Sequence, residues 1–209
     1  MKTKLIIILF PFLILLLSYN LVAYNIDFYK HEFEKHGVYN ELPKETVNKE
    51  AQNLISYMKN KTPLELGFFN EGEIAHMEDV YNTNKLFSYL FYISVILVSI
   101  LILSLLYSKQ YKEIFISLFY GGIATLGVII SLVILFSLFF TSSFTIFHEV
   151  FFNNDLWQLN PEYDKMIVMF PEPFFFDAVI RVLLYSAGFS LILGIFGFTL
   201  KHFSLQTSS

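Results

Sequence analysis

Two histidines carry most of the chemistry available to this 209-residue chain. His76 lies in the block EIAHMEDV, residues 73–80, and His148 in FHEVFF, residues 147–152. Each stands a short way from a long apolar run, and the two belong to different polar segments. An imidazole titrates near neutral pH and takes or gives a proton without strong tuning. A lone histidine at such a border is ordinarily structural. Two that converge, with Asp79 and Glu149 close by in sequence, point to general acid–base work. A shared mechanism requires the two rings within about 10 Å of each other in one cavity. The competing chemistries are weaker. Two histidines and a carboxylate can hold a metal, yet no pair of histidines on one element has ligand spacing. In HEFEKH, residues 31–36, the histidines are five apart, about 140° around a helix, where a zinc-protease helix needs four. His31 and His36 are therefore read as solvated surface residues. Ser142 and Ser143 lack a GxSxG context. The absence of cysteine excludes disulfides, thiolate zinc sites and a Cys nucleophile. No metal and no cofactor is expected.

The elements that position these residues follow from hydropathy. The chain is 55% hydrophobic, 19% aromatic and only 15% charged, with mean hydropathy +0.56. Soluble domains carry about a quarter charged residues, so this composition belongs in a bilayer. A net charge of -4 argues against a nucleic-acid partner, which demands a basic face. A hydrocarbon core about 30 Å thick needs roughly 20 apolar residues in helix, and the runs 5–22, 86–107, 114–140 and 178–200 qualify. The first reads as an uncleaved anchor, because Leu21-Val22-Ala23 lacks a small outer cleavage residue and the run exceeds a usual signal core. The third is long enough to tilt. Lys2, Lys4, Lys109, Lys112 and Lys201 flank the spans on one side. By the positive-inside rule both termini are cytoplasmic, and residues 24–85 and 141–177 lie outside, with every acidic residue except Glu113. The expected fold is an all-α polytopic membrane protein: one membrane domain of four transmembrane helices, with a small extracytoplasmic cap built from two loops. Ser186, Ser190 and Gly194 recur every four residues, and with Gly121, Gly122 and Gly127 they read as close-packing positions.

In the first outer segment Pro43 can open an amphipathic helix whose apolar face is Val47, Ala51, Leu54, Ile55 and Met58. Its polar face mixes Lys44, Glu45, Lys49 and Glu50, with Lys59 to Lys61 beyond its end. Mixed charge favours a cap over a headgroup-bound helix. An apolar stretch, 64–69, and the turn-like Asn70-Glu71-Gly72 then lead to the His76 block. In the second segment Pro161, Pro171 and Pro173 forbid a long uninterrupted helix. The crowd of phenylalanines around Trp157 suits a loop resting on or dipping into the bilayer. Arg181 lies one turn inside the fourth span, four residues after Asp177. It either snorkels to pair with Asp177 or anchors a lipid carbonyl or phosphate oxygen.

The blocks EIAHMEDV at 73–80 and FHEVFF..DLW.LNPEYDKMI.MFPEPFF at 147–175, in a four-span chain, resemble the lipoprotein intramolecular transacylase family of bacterial membrane proteins. They cover about a fifth of the sequence, and the second is the more specific, because Trp157, Pro161, Asp164 and Phe-Pro-Glu at 170–172 hold fixed spacing. The resemblance implies an enzyme of the bacterial cell membrane acting on its extracytoplasmic side, without a cofactor. Its substrate is the diacylglyceryl-modified N-terminal cysteine of a lipoprotein, whose sn-2 acyl chain moves onto the cysteine's own α-amine to give the lyso form. His76 and His148 are then the expected catalytic pair. Donor ester and acceptor amine share one molecule, so proximity replaces an acyl-enzyme. The amine must be neutral to attack, so one histidine acts as base on the α-ammonium and the other stabilises the oxyanion or protonates the departing glyceryl oxygen, with the two roles unassigned. Asp79 or Glu149 can fix a tautomer; Trp157, Asp164, Glu172 and Arg181 are candidates to position substrate. The alternatives are a non-catalytic membrane scaffold that docks a partner on its aromatic outer loop, and a metal-dependent membrane hydrolase. A transporter is disfavoured, since no span carries a mid-bilayer charge and no inverted repeat is evident.

Overall fold

The computed structural model describes residues 1–60, 62–64 and 67–206, with side chains as far as residue 200. Lys61, residues 65 and 66 of the apolar stretch and the Lys201 side chain lie outside the described residues. In chain order the helices are α1 (Lys2–Ala23), α2 (Ile26–Lys35), α3 (Val38–Glu41), α4 (Lys44–Asn60), α5 (Glu71–Tyr107), α6 (Tyr111–Phe151), α7 (Lys165–Met169) and α8 (Glu172–Gln206). Four of them, α1, α5, α6 and α8, are long and apolar enough to cross a membrane, and the fold is all-α.

The helices outrun the apolar runs inside them. At 1.5 Å per residue, the 37 residues of α5 and 41 of α6 extend roughly 55 and 60 Å, well beyond a ~30 Å hydrocarbon core. Helix α5 begins at Glu71, ahead of the run 86–107; α6 continues past its run to Phe151; α8 begins at Glu172. Pro171 and Pro173 fall at the start of α8, where a missing N–H costs nothing. Helix α6 breaks regularity at Phe139 (φ -138°, ψ 37°). Just beyond, the Thr145 hydroxyl donates back to the Thr141 carbonyl at 3.0 Å, a contact that bends helices.

The chain divides into two compact units. One comprises residues 1–20, 88–135 and 181–209. Ile6, Phe10, Ile14, Leu105 and Ile114 form its core, with Leu118, Phe189 and Leu193 packed around it. The small-residue positions bring α6 and α8 together: a Cβ on Gly122 would stand 2.7 Å from the Ser190 carbonyl oxygen and 3.1 Å from Gly194 Cα. Ser186 and Ser190 are wholly buried, and the Ser190 hydroxyl donates to the Ser186 carbonyl at 2.7 Å. Gly127 has no such neighbour. Lys2 Nζ donates to Ser104 Oγ and Thr3 Oγ1 to Glu113 Oε2, both at 2.7 Å, tying the start of α1 to the end of α5 and the start of α6.

The other unit comprises residues 21–87 and 136–180. Helix α2 starts on Asn25, whose side chain accepts from the Asp27 and Phe28 amides, a standard N-cap. It buries Phe28, Tyr29 and Phe33 against Phe170 and Phe174, with ring centroids 5.7 Å apart for Phe28–Phe174, 5.3 Å for Tyr29–Phe174 and 5.5 Å for Phe33–Phe170. Part of the phenylalanine crowd therefore serves an internal aromatic core rather than a bilayer-facing loop. Pro43 opens α4, its carbonyl accepting from the Val47 amide. Val47, Ala51, Leu54 and Ile55 are buried, together with Tyr57, so the amphipathic face packs inside this unit.

Candidate active site

The segment preceding His76 is held by a reciprocal cap. Asn70 Oδ1 accepts from the Glu73 amide at 3.0 Å, and Glu73 Oε2 accepts from the Asn70 amide at 2.7 Å, which is the capping-box arrangement. Glu73 is 1% exposed, and its second oxygen accepts from the Met166 amide at 2.6 Å. Asp164 completes the lashing: one oxygen accepts from Asn70 Nδ2 and the other from the Asn160 amide, both at 2.7 Å. The start of α5, the loop 152–164 and α7 are thus tied through two carboxylates, and His76 follows Glu73 by three residues.

His148 sits in the last turn of α6. Its Nδ1 lies 2.7 Å from the Phe144 carbonyl oxygen. A carbonyl only accepts, so Nδ1 carries the proton, and the neutral ring keeps its lone pair on Nε2. Phe144, Trp157 and Phe152 surround the ring at centroid distances of 4.3, 4.8 and 5.3 Å. Phe152 also meets His76 edge-on at 5.1 Å. The two imidazoles lie 6.2 Å apart, inclined by 25°, and both line a cavity of about 220 Å³. Trp157, Glu172, Met166, Phe170 and Phe175 contribute to its wall, and no Ser, Thr, Cys or Lys does so among the described residues.

Both histidines stand outside the apolar runs, His76 ten residues before 86–107 and His148 eight after 114–140. Burial lowers the pKa of His76 to about 4; His148 beside it adds to the shift and Asp79 partly opposes it. Burial also lowers His148, with the Phe144 carbonyl opposing. His76 Nδ1 is buried with no hydrogen-bond partner. An orphaned N–H is the rarer condition in a folded protein, so this nitrogen is better left bare, with the proton on Nε2. One ring then offers a donor and the other an acceptor.

The remaining candidates separate. Trp157 and Glu172 line the cavity with the histidines, and Glu172 accepts from Thr141 Oγ1 at 2.6 Å. Asp79 accepts from Asn154 Nδ2 at 2.9 Å and reaches His76 through its charge. Asp164 braces the loop. Glu149 is exposed and lines nothing in the cavity; the tautomer-fixing partner of His148 is a backbone carbonyl instead. Arg181 belongs to the other compact unit and is not a lining residue. Asp177 accepts from Lys35 Nζ at 2.5 Å and from His36 Nε2 at 2.7 Å. The expectation that both histidines of HEFEKH are solvated is corrected for one of them. The His31 side chain is 65% exposed, but that of His36 is only 16% exposed and engaged by Asp177 and Glu32. The spacing that matters there is Glu32 to His36, four residues and one helical face. Glu73, Phe144 and Phe152 are absent from a histidine-centred reading, although N-x-x-E at 70–73 is a recognisable cap signature.

The family model described as lipoprotein intramolecular transacylase Lit matches residues 4–175. Among solved structures, the chain is similar to the membrane-integral lipoprotein intramolecular transacylase Lit from Bacillus cereus, with TM-score 0.83 and 25% identity over 99% of this chain and 95% of that one. Two further structures of the B. cereus protein, with a histidine changed to arginine or to alanine, match with TM-score 0.77 and 25% identity over 99% of this chain and 92% and 93% of theirs. No curated protein matches the chain.

Proposed function

The chain belongs to the Lit family of lipoprotein intramolecular transacylases, and on that footing we propose that it moves the sn-2 acyl chain of a lipoprotein's diacylglyceryl group onto the α-amine of the same N-terminal cysteine. The observation that carries the reading is the pair of stacked histidines, 6.2 Å apart, in one largely apolar cavity with no Ser, Thr, Cys or Lys in its wall among the described residues. Such a wall suits a reaction whose nucleophile belongs to the substrate.

The amine nitrogen attacks the ester carbonyl carbon. Attack makes its N–H far more acidic, so a weakly basic neutral imidazole suffices to take the proton, and His148 Nε2 is the free lone pair. The carbonyl oxygen becomes an oxyanion, which accepts from Nε2–H of neutral His76, a donor held in place before charge develops. Collapse forms the amide and breaks the bond to the sn-2 glyceryl oxygen, which leaves with the proton from His148. Counted from the neutral amine, the products are an N-acyl cysteine and a glyceryl hydroxyl, with no net proton released. Trp157, stacked on His148, and Glu172, held by Thr141, shape the wall that receives the substrate. The unit bearing this cavity faces the extracytoplasmic side, and both termini face the cytoplasm.

Full-length protein with His76→Ala or His148→Ala, expressed with a diacylglyceryl lipoprotein, tests the reading by mass spectrometry of the lipoprotein N-terminus. Loss of the lyso form in both variants is expected. Unchanged lyso-form production in both would sink it and leave the membrane scaffold as the better account.

A further inference from the structure

Away from the cavity, the same unit holds a second cluster of chemistry-bearing side chains that the acyl transfer does not use. Glu32 lies in the last turn of α2, His36 caps that helix four residues on, and Asp177 approaches them from α8. One ligand atom from each lies within 4.8 Å of the other two. His36 Nε2 is 2.7 Å from Asp177 Oδ2 and 3.4 Å from Glu32 Oε2. The Glu32 carboxyl is the unusual member. It is 2% exposed, and its Oε2, aimed into the cluster, has no hydrogen-bond partner. A buried carboxylate oxygen without a donor is costly. The nearest cation, Lys35 Nζ, is 3.7 Å from that oxygen, too far to satisfy it, and sits instead at 2.5 Å from Asp177 on a half-exposed, flexible stem.

We propose that Glu32, His36 and Asp177 form a binding site for a divalent first-row transition ion, zinc being the test case, that clamps α2 to the start of α8. One imidazole and two carboxylates are a ligand set for such ions. Bonds of about 2.1 Å in tetrahedral geometry place ligand atoms roughly 3.4 Å apart. The Glu32–His36 separation already has that value. The His36–Asp177 pair must open by less than an ångström as the ion replaces the proton between them. Lys35 then swings to solvent, and a water completes the shell. The site bears on the cavity mechanically. Tyr29 of α2 and Phe174 of α8 pack together and both line it, so an ion at the next turn of α2 stiffens that wall.

The test uses the full-length chain purified in detergent, stripped with chelator and titrated with zinc sulfate, with bound metal counted after equilibrium dialysis and thermal unfolding followed in parallel. One zinc per chain is expected, with an unfolding temperature that rises with zinc. Glu32→Gln and His36→Gln should each weaken binding at least tenfold. Lys35→Gln removes a competing cation but no ligand, and should tighten binding several-fold. No retained zinc, or equal retention by Glu32→Gln and His36→Gln, overturns the proposal. So does loss of binding in Lys35→Gln, which would make the cluster a lysine salt bridge. Binding that is lost in His76→Gln but kept in His36→Gln would put the ion at the catalytic pair and equally overturn it.

Discussion

His76 and His148 are the same residue type, similarly buried and 6.2 Å apart, yet their nitrogens meet different surroundings. His148 Nδ1 is committed to the Phe144 carbonyl, whereas His76 Nδ1 has no partner. The roles proposed for them differ accordingly, and substitution can separate them. Glutamine presents an amide N–H near the position of Nε2 but has no basic lone pair there. At position 76, where the proposed mechanism requires a donor, His76→Gln should retain activity about tenfold above His76→Ala, which should lose about 10²–10³ in kcat as oxyanion donors do. At position 148, where the proposed mechanism requires a base, glutamine should be no better than alanine, both losing about 10²–10⁴. Single-turnover lyso-form production checks both, and equal rescue at the two positions would reverse or erase the assignment. The direction of the pKa shift gives a second test. An imidazole whose pKa falls to about 4 gives up its proton well below the ordinary value near 6.5, so His76 is neutral from pH 5 to 8. The rate should rise with pH as the substrate α-ammonium, with an ordinary pKa near 7.7–8.0, loses its proton, and then level off. A kinetic limb near pH 6.5 that moves when His76 is changed would contradict a neutral donor.

At the scale of elements, the site depends on how α5 begins. Glu73 spans two backbone amides, Asn70 and Met166, and so joins the turn before His76 to the α7 wall of the cavity. A glutamine there has one acceptor oxygen for two donors, and its amide nitrogen would face an N–H. Glu73→Gln should therefore cost about 1–3 kcal/mol of stability, the penalty of one unsatisfied buried donor, and should speed hydrogen exchange at the Met166 amide. Thermal unfolding and exchange measured together check this; unchanged protection at Met166 would deny Glu73 its bridging role. This element also marks where sequence reading stops. The apolar run 86–107 was legible because hydrocarbon demands about 20 uncharged residues, and the face of α4 because Val47, Ala51, Leu54 and Ile55 repeat at helical spacing. Hydropathy says nothing of where a helix starts once it leaves the apolar layer, since backbone bonds continue wherever a cap is available. The start at Glu71 was written in N-x-x-E rather than in hydrophobicity. The partner of His148 was less accessible still, because a backbone carbonyl has no side-chain signature. The pairing of Asp177 with Lys35 and His36 required an approach across about 140 residues that no local pattern encodes.

For the molecule as a whole, charge sorts by compact unit. The unit of residues 1–20, 88–135 and 181–209 carries six basic residues against one acidic, Glu113, whereas the other carries eight basic against seventeen acidic. Lysines near span ends govern insertion, and acidic residues contribute little. Lys2, Lys4, Lys109 and Lys112 flank ends that the Lys2–Ser104 and Thr3–Glu113 bonds tie together. The proposed topology, with those ends in the cytoplasm and the histidine cavity outside, accords with both facts. The cysteine-free chain makes this directly measurable, since any thiol introduced is the only one. Glu41→Cys and Glu162→Cys, at exposed positions in the histidine-bearing unit, should react with a membrane-impermeant maleimide in intact cells. Gln110→Cys, exposed between α5 and α6, should react only after the membrane is opened. Each variant should keep wild-type lyso-form production, because none of the three positions lines the cavity. The reverse labelling pattern in an active protein would place the histidines on the cytoplasmic side. The extracytoplasmic reading of the acyl transfer would then have to be abandoned, while the proton path between His76 and His148 would stand or fall on its own kinetics.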